Sequence, residues 1–344
     1  MNADWGDAGT EYGDVGTDGI AVQVKHSYAD FTMGMANVKM GAQGATLARG
    51  LLFDADFAGV TLNFKGDAFQ VPLYWIRFDE GGVGKDANDG DADLFGVSPA
   101  FSFGGVSVNP MLFWLTSQDA SLGDELGDLN DPNIEKVNLF YLGVNADAGF
   151  GPAKVWFTGI YEGGTIDAQT GDDADVAAFL VALGGGANFG MVEAHGQVFY
   201  ASGDDESDDE IKDFVGPPGG QSYYWSEIMG YGTFDDQVSS GSPGDAISDI
   251  MAIGLGASVT PMEKLSLGLD IWYAQRATAE QDDDDVDDTL GTEVDFSVNY
   301  ELMDDLDLRV VAAYLMADDG TDPTADNDDT ANPFELGARL SLSF

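Results

Sequence analysis

Segments with a strict two-residue alternation of apolar and polar side chains recur along this chain, and the connections between them switch regularly between very short and long. The last segment, FELGARLSLSF, sets Phe334, Leu336, Ala338, Leu340, Leu342 and Phe344 on one face and Glu335, Gly337, Arg339, Ser341 and Ser343 on the other. Successive side chains of a strand point to opposite faces, so this is a strand with one apolar and one polar side. LSLGLDIWYAQR (265–276), TEVDFSVNY (292–300) and LDLRVVAAYLM (306–316) repeat the pattern. The i, i+3, i+4, i+7 spacing of a helix is missing from these segments. Short connections fall at Gly104–Gly105, Gly149–Pro152, Asn188–Gly190, Pro261–Lys264 and Met303–Asp305. Long ones cover 80–92, 118–135, 163–175, 203–245, 278–289 and 317–332, and the two kinds never exchange places. Tight turns on one rim and long loops on the other predict an antiparallel up-and-down meander closed into a barrel.

About fifteen such segments are legible between residues 20 and 344. Bacterial single-chain barrels carry even strand numbers. The odd count therefore predicts a single barrel domain over 1–344 with about 16 to 18 strands, residues 1–19 as an outer loop, and N-terminal strand(s) missing ahead of it. A paired strand within the first nineteen residues would overturn the missing-strand expectation.

Charge placement chooses the solvent for the apolar face. The chain has 344 residues, with 13 Lys+Arg against 62 Asp+Glu and a formal net charge of −49. Most of the acid lies in the long connections, as in GDDESDDE (203–210) and QDDDDVDD (281–288). Most basic residues lie in strand segments. Lys25, Lys39, Arg49, Arg77, Lys154, Arg276, Arg309 and Arg339 are the expected pore-lining cations, beside Glu193, His195, Asp270, Glu293, Asp295 and Glu335. A polar interior with an apolar exterior inverts a soluble core, and in lipid a closed barrel is the β solution that pairs every backbone group. The aromatics Trp75, Phe103, Trp114, Trp156, Trp272 and Tyr300 suit interfacial girdles. A soluble β protein with the apolar faces inward is the alternative.

Other classes are excluded or left without support. An acidic chain is a poor partner for nucleic acid, whose affinity rests on basic contacts to phosphate. With no Cys there are no disulfides, thiolate metal sites or covalently attached haem. No apolar run reaches the ~18 residues of a membrane-spanning helix, and the first residues, MNADWGDAGTEYG, carry no signal peptide. No nucleophile elbow, phosphate loop or zinc-protease motif occurs, so no enzyme activity is expected. His195 beside Glu193 reads as a hydrated wall pair rather than a catalytic dyad. No cofactor is expected, except that KDANDGDADLFG (85–96) offers Asp86, Asn88, Asp91 and Asp93 for a loop-bound Ca²⁺; its Gly is early and its closing Glu absent for an EF-hand, and a solvated acidic loop is the alternative.

The C-terminal Phe344 after alternating apolar residues resembles the terminal signature of Gram-negative outer-membrane proteins. VKHSYADFTMG (24–34), GAQGATLARGLLFDADFAGV (41–60) and SYYWSEIMGYG (222–232) resemble segments of porin-like proteins related to the alginate-export barrels. The resemblance implies an integral outer-membrane channel for ions and small, sometimes polymeric, solutes. It also implies contact with outer-membrane lipid and lipopolysaccharide, recognition of Phe344 by the barrel-assembly machinery, extracellular long loops, periplasmic short turns, and a homo-oligomer such as a trimer. The functional readings are a passive diffusion channel, a dedicated transporter of an acidic polysaccharide or other anionic solute, and a plugged structural or adhesive barrel.

The longest connection, 203–245, is unlike the others. Tyr223, Tyr224, Trp225, Ile228, Met229, Tyr231 and Phe234 would form an aggregation-prone patch if all were solvated. Residues 221–235 are therefore expected to fold inward and narrow the pore, presenting Glu227 to solute. Packing on a neighbouring subunit, or extension of a strand above the membrane, is the alternative.

Overall fold

The computed structural model describes residues 2–5, 20–79, 91–118, 134–168, 173–204, 210–218, 223–234, 244, 247–278, 288–321 and 331–343. Two strands near the N-terminus, β1 (Asn2–Trp5) and β2 (Ile20–Gln23), pair antiparallel as a sheet of their own. A paired strand thus lies within the first nineteen residues, where an outer loop was expected, and it stands apart from the barrel sheet. Phe344 lies outside the described residues.

The other seventeen strands form one closed barrel. They are β3 (Ser27–Met33), β4 (Ala36–Leu47), β5 (Phe53–Lys65), β6 (Phe69–Asp79), β7 (Ala92–Val97), β8 (Ala100–Phe103), β9 (Val106–Ser117), β10 (Ile134–Phe150), β11 (Ala153–Ala168) and β12 (Ala174–Phe189). There follow β13 (Val192–Ala201), β14 (Glu210–Ile211), β15 (Ile250–Met262), β16 (Leu265–Arg276), β17 (Thr289–Met303), β18 (Leu306–Ala317) and β19 (Phe334–Leu342). β7 and β8 are one strand interrupted: both pair with β6 and β9. The break falls at Pro99, which has no N–H for the ladder. Asn109 Nδ2 closes the gap by donating to the carbonyls of Ser98 and Pro99 at 2.9 and 2.7 Å. β14 has two residues, so fifteen strand lines traverse the barrel, matching the fifteen segments of the sequence.

Short turns and long connections sit on opposite rims. Gly104 and Gly105 (φ 58° and 85°) occupy the two central positions of the β8–β9 hairpin, a conformation that side chains resist. The outer surface is apolar: Leu255 is 68% exposed, and Leu183, Phe296 and Leu336 are likewise exposed on outward faces. Trp75, Phe103, Trp114 and Tyr300 lie on this surface, as girdle residues should. Trp156 and Trp272 do not. They face inward, because they share strand parity with the buried Thr158 and Ala274.

The interior departs from the expected polar tube. In the half nearest the long connections, inward side chains such as Phe113, Leu115, Leu139, Leu180, Phe199 and Leu315 are apolar and fully or almost fully buried. Leu51 and Leu52, from the β4–β5 connection, and Phe214, Trp225 and Met229, from the β13–β15 connection, fill the space between them. Strand periodicity could not reveal this, since the partners that bury these faces come from connections distant in sequence. The half nearest the short turns keeps the polar wall: Asn109, Asn145, Asp147, Lys154, His195, Asp270 and Arg309 all take the inward parity of their strands.

Candidate functional site

Residues 223–234 lie inside the barrel and are tied to five strands of its wall, β13 and the consecutive β16 to β19. Tyr223 donates to Gln197 Oε1 on β13 at 2.7 Å; burial pushes its phenol up to about 12, so it remains a donor. The Trp225 ring meets Phe199 of β13 and Trp272 of β16 edge-on, at 5.3 Å between centroids in each case. The β17 carboxylate of Glu293 accepts the backbone N–H groups of Glu227, Ile228 and Met229, each at 2.8 Å. Arg309 of β18 donates to the Tyr224 hydroxyl at 2.9 Å and to Glu227 Oε1 at 3.3 Å. Arg339 of β19 donates to the Thr233 carbonyl and stacks on Phe234. A buried carboxylate that accepts three N–H donors is well satisfied, which makes Glu293 the principal anchor of the segment.

Glu227 does not face solute. It is 3% exposed, and its carboxylate turns back into its own segment, accepting from Thr233 N at 2.7 Å and Thr233 Oγ1 at 3.0 Å and bonding the Tyr224 hydroxyl. A lone acid in so tight a turn is stabilised by the turn's own donors, and that competes with presentation to the lumen. Tyr224 is the exposed member of the group. Its hydroxyl end is turned in among Glu227, Thr233 and Arg309, and desolvation there, with the Glu227 carboxylate beside it, raises the phenol above the usual range and keeps it neutral.

Below this segment lies a cavity of ≈ 300 Å³ whose lining includes Trp156, His195, Tyr224, Asp270, Asp295 and Arg309. His195 Nε2 and Asp270 Oδ1 are 2.6 Å apart. Glycines make the room. A Cβ on Gly254 would stand 2.4 Å from the Trp272 ring, one on Gly184 would stand 2.4 Å from the Trp156 ring, and one on Gly256 would stand 2.0 Å from Asp270 Oδ1. The run GGG at 184–186 and the pair Gly254/Gly256 are the sequence signal for this site.

A second brace crosses the lumen. Arg49, in the β4–β5 connection, donates to Asp147 Oδ1 of β10 at 2.7 Å and to Thr158 Oγ1 of β11 at 3.2 Å, with its guanidinium over the Trp156 ring. Ala48 and Arg49 both adopt positive φ (50° and 66°), a conformation that persists in side-chain-bearing residues only when surroundings enforce it.

The remaining sequence candidates divide. Lys39, Lys154, Glu193, Arg276 and Glu335 take inward parity, Lys39 with its ammonium over the Tyr28 ring at 4.0 Å and Arg276 near Asp249. Two expected pore residues are corrected. Arg77 shares its face with Trp75 (38% exposed) and not with Ile76 (0%), so it points outward. There it pairs with Asp93 at 2.8 Å and Asp91 at 3.0 Å. Those two acids, expected as calcium ligands, are engaged by Arg77; Asp86 and Asn88 lie outside the described residues. Lys25 pairs with Asp56 at 3.4 Å, on the outward face of β5 opposite Phe57. Arg77→Ser should accordingly leave the reversal potential in a salt gradient unchanged and lower the temperature at which the barrel unfolds in detergent; a shifted reversal potential would return Arg77 to the pore.

No protein-family model and no curated protein matches the sequence. Among solved structures, Pseudomonas aeruginosa OccK3 (OpdO) is similar with a TM-score of 0.57 at 11% identity, over 91% of this chain and 77% of that one. The chain has the β-barrel fold of this structure. The P. aeruginosa outer membrane protein OprD superimposes with a TM-score of 0.53 at 11% identity, over 91% of this chain and 76% of its own. P. aeruginosa OccK2 (OpdF), solved in complex with glucuronate, gives 0.53 at 11% identity, over 92% and 81%.

Proposed function

We propose that this protein is a passive outer-membrane channel for ions and small hydrophilic solutes, narrowed by residues 223–234, in a Gram-negative envelope. The observation that carries the reading is the inward segment held by Glu293, Arg309 and Arg339 above a polar cavity, inside a barrel whose outer surface is apolar. In this reading the apolar surface meets lipid and lipopolysaccharide, the long connections face outward from the cell and the short turns face the periplasm. The protein does not act as an enzyme in this reading.

The lining favours small solutes over an acidic polymer, the reading the alginate-export resemblance suggests. Asp270 and Asp295 line the cavity against Arg309 and His195, which gives no net attraction for a carboxylate chain. Purified protein in planar bilayers should pass a small, steady current in simple salt. Absence of current would sink the channel reading in favour of a plugged barrel, and block by an acidic oligosaccharide would favour the polymer. Replacing Arg309 and Arg339 together by Ser removes two lumen cations and two contacts of the inward segment. Conductance and cation selectivity should therefore rise together; a change in neither would count against a mixed-charge constriction.

A further inference from the structure

The cavity below the inward segment carries a polar pair built across a strand. His195 of β13, Gly256 of β15 and Asp270 of β16 stand in one row of the sheet. A Cβ on Gly256 would collide with both neighbours, so the glycine is what lets His195 Nε2 and Asp270 Oδ1 meet at 2.6 Å over it. The two side chains are 41% and 27% exposed and both line the cavity. One polar atom of each, His195 Nδ1 and Asp270 Oδ2, has no hydrogen-bond partner among the described residues and stays open to the lumen. Aromatic walls complete the cavity. Tyr224 is exposed while its hydroxyl is tied down by Arg309 at 2.9 Å, so its ring and not its polar end meets solute. Trp156 is held between the Arg49 guanidinium, 4.9 Å from its ring centroid, and the bare backbone of Gly184. Groups fixed in advance need no further ordering on binding.

The chemistry of the ligand follows from charge, size and wall. The two ion pairs beside the cavity, His195–Asp270 and Arg309–Glu227, are internally compensated, so a solute with a net charge gains no counter-ion there. A hydroxyl both donates and accepts, and two neighbouring hydroxyls satisfy Asp270 Oδ2 and His195 Nδ1 together. The C–H face of a saturated ring lies well against an aromatic wall, whereas an open-chain polyol turns hydroxyls to every side. A volume of ≈ 300 Å³ is at the small end for a ligand site and suits one such ring. We infer that the cavity is a subsite for a neutral pyranose sugar, two adjacent hydroxyls on Asp270 Oδ2 and His195 Nδ1 and its C–H face along Tyr224 and Trp156. The inference names a solute for the channel reading and rests on that reading for transport, since binding itself needs no conduction.

Four probes of similar size separate the possibilities: glucose, sorbitol, glucuronate and glucosamine, each titrated at neutral pH against the full chain in detergent. Tryptophan fluorescence reports occupancy, because Trp156, Trp225 and Trp272 border the cavity. Glucose should bind tightest, with sorbitol weaker for want of the ring and the two charged sugars weaker for want of a counter-ion. Asp270→Asn should weaken glucose about ten-fold, the loss expected when a hydrogen bond to a charged group becomes a neutral one. Tightest binding by glucuronate or glucosamine, sorbitol equal to glucose, or an unchanged glucose affinity in Asp270→Asn overturns the site. If that variant does not fold, the ranking of the four probes on the unaltered protein decides alone. Bilayer current recorded in parallel keeps the two ideas apart: glucose binding without current defeats the channel and keeps the site, and current without glucose binding does the reverse.

Discussion

Removal of residues 223–234 is expected to raise the single-channel conductance several-fold. The segment occupies the interior along β13, β16, β17, β18 and β19 and carries the buried bulk of Trp225 and Met229 into the lumen. A point substitution should approach the same result. Glu293→Ala deletes the acceptor of three N–H groups at 2.8 Å. Hydrogen bonds to a charged group contribute about 1.5–3 kcal/mol each, and unpaired buried donors add their own penalty. Even with partial solvation by lumen water, the anchored position loses several of its strongest contacts. Glu293→Ala channels should therefore switch between a low and a high conductance level, and Glu293→Gln, which keeps an acceptor, should switch less often. Recordings of both variants with the same conductance and noise as the parent would show that residues 223–234 do not limit the current.

Leu255→Arg should destabilise the protein by about 2–4 kcal/mol in lipid, the cost of a basic side chain on the bilayer-facing side near mid-membrane depth. Leu255 is 68% exposed and lies at the middle of β15, pairing with Gly196 on one side and Ile271 on the other. In a water-soluble protein such an exposed site would accept arginine within about 0.5 kcal/mol. The same substitution thus reads out the solvent of the outer face directly. Equilibrium unfolding in urea from lipid vesicles supplies the number. An unchanged midpoint would mean that the apolar surface does not meet hydrocarbon.

Much of this protein is local and was legible from residue order. Fifteen strand lines follow from period-two alternation, and the two rims follow from connection length, because pleat and turn geometry act over a few residues. The inward orientation of His195, Asp270, Glu293, Asp295, Arg309 and Arg339 follows from parity alone. Parity failed where alternation was weak. In FQVPLYWIRF (69–78) apolar residues stand on both faces, and only the register Ile76↔Leu94 and Arg77↔Asp93 shows which one turns to the lipid.

What residue order could not supply are the meetings between distant parts of the chain. Arg49 reaches Asp147 across 98 residues, and Glu293 gathers donors 64 to 66 residues away. Residue order indicated that Tyr223, Trp225 and Phe234 needed shelter from water; which wall shelters them depends on the curvature of the closed sheet. The role of Glu227 was decided the same way. An acid next to aromatics reads equally as a solute contact or as an internal brace, and the fold made it a brace by bringing the Thr233 N–H and the Arg309 guanidinium to the same carboxylate. Alternation along a strand determined which residues could line this lumen, since side-chain direction is a property of the local backbone. Tertiary structure alone decided which of them stay open to solute, because that depends on partners the chain delivers from elsewhere.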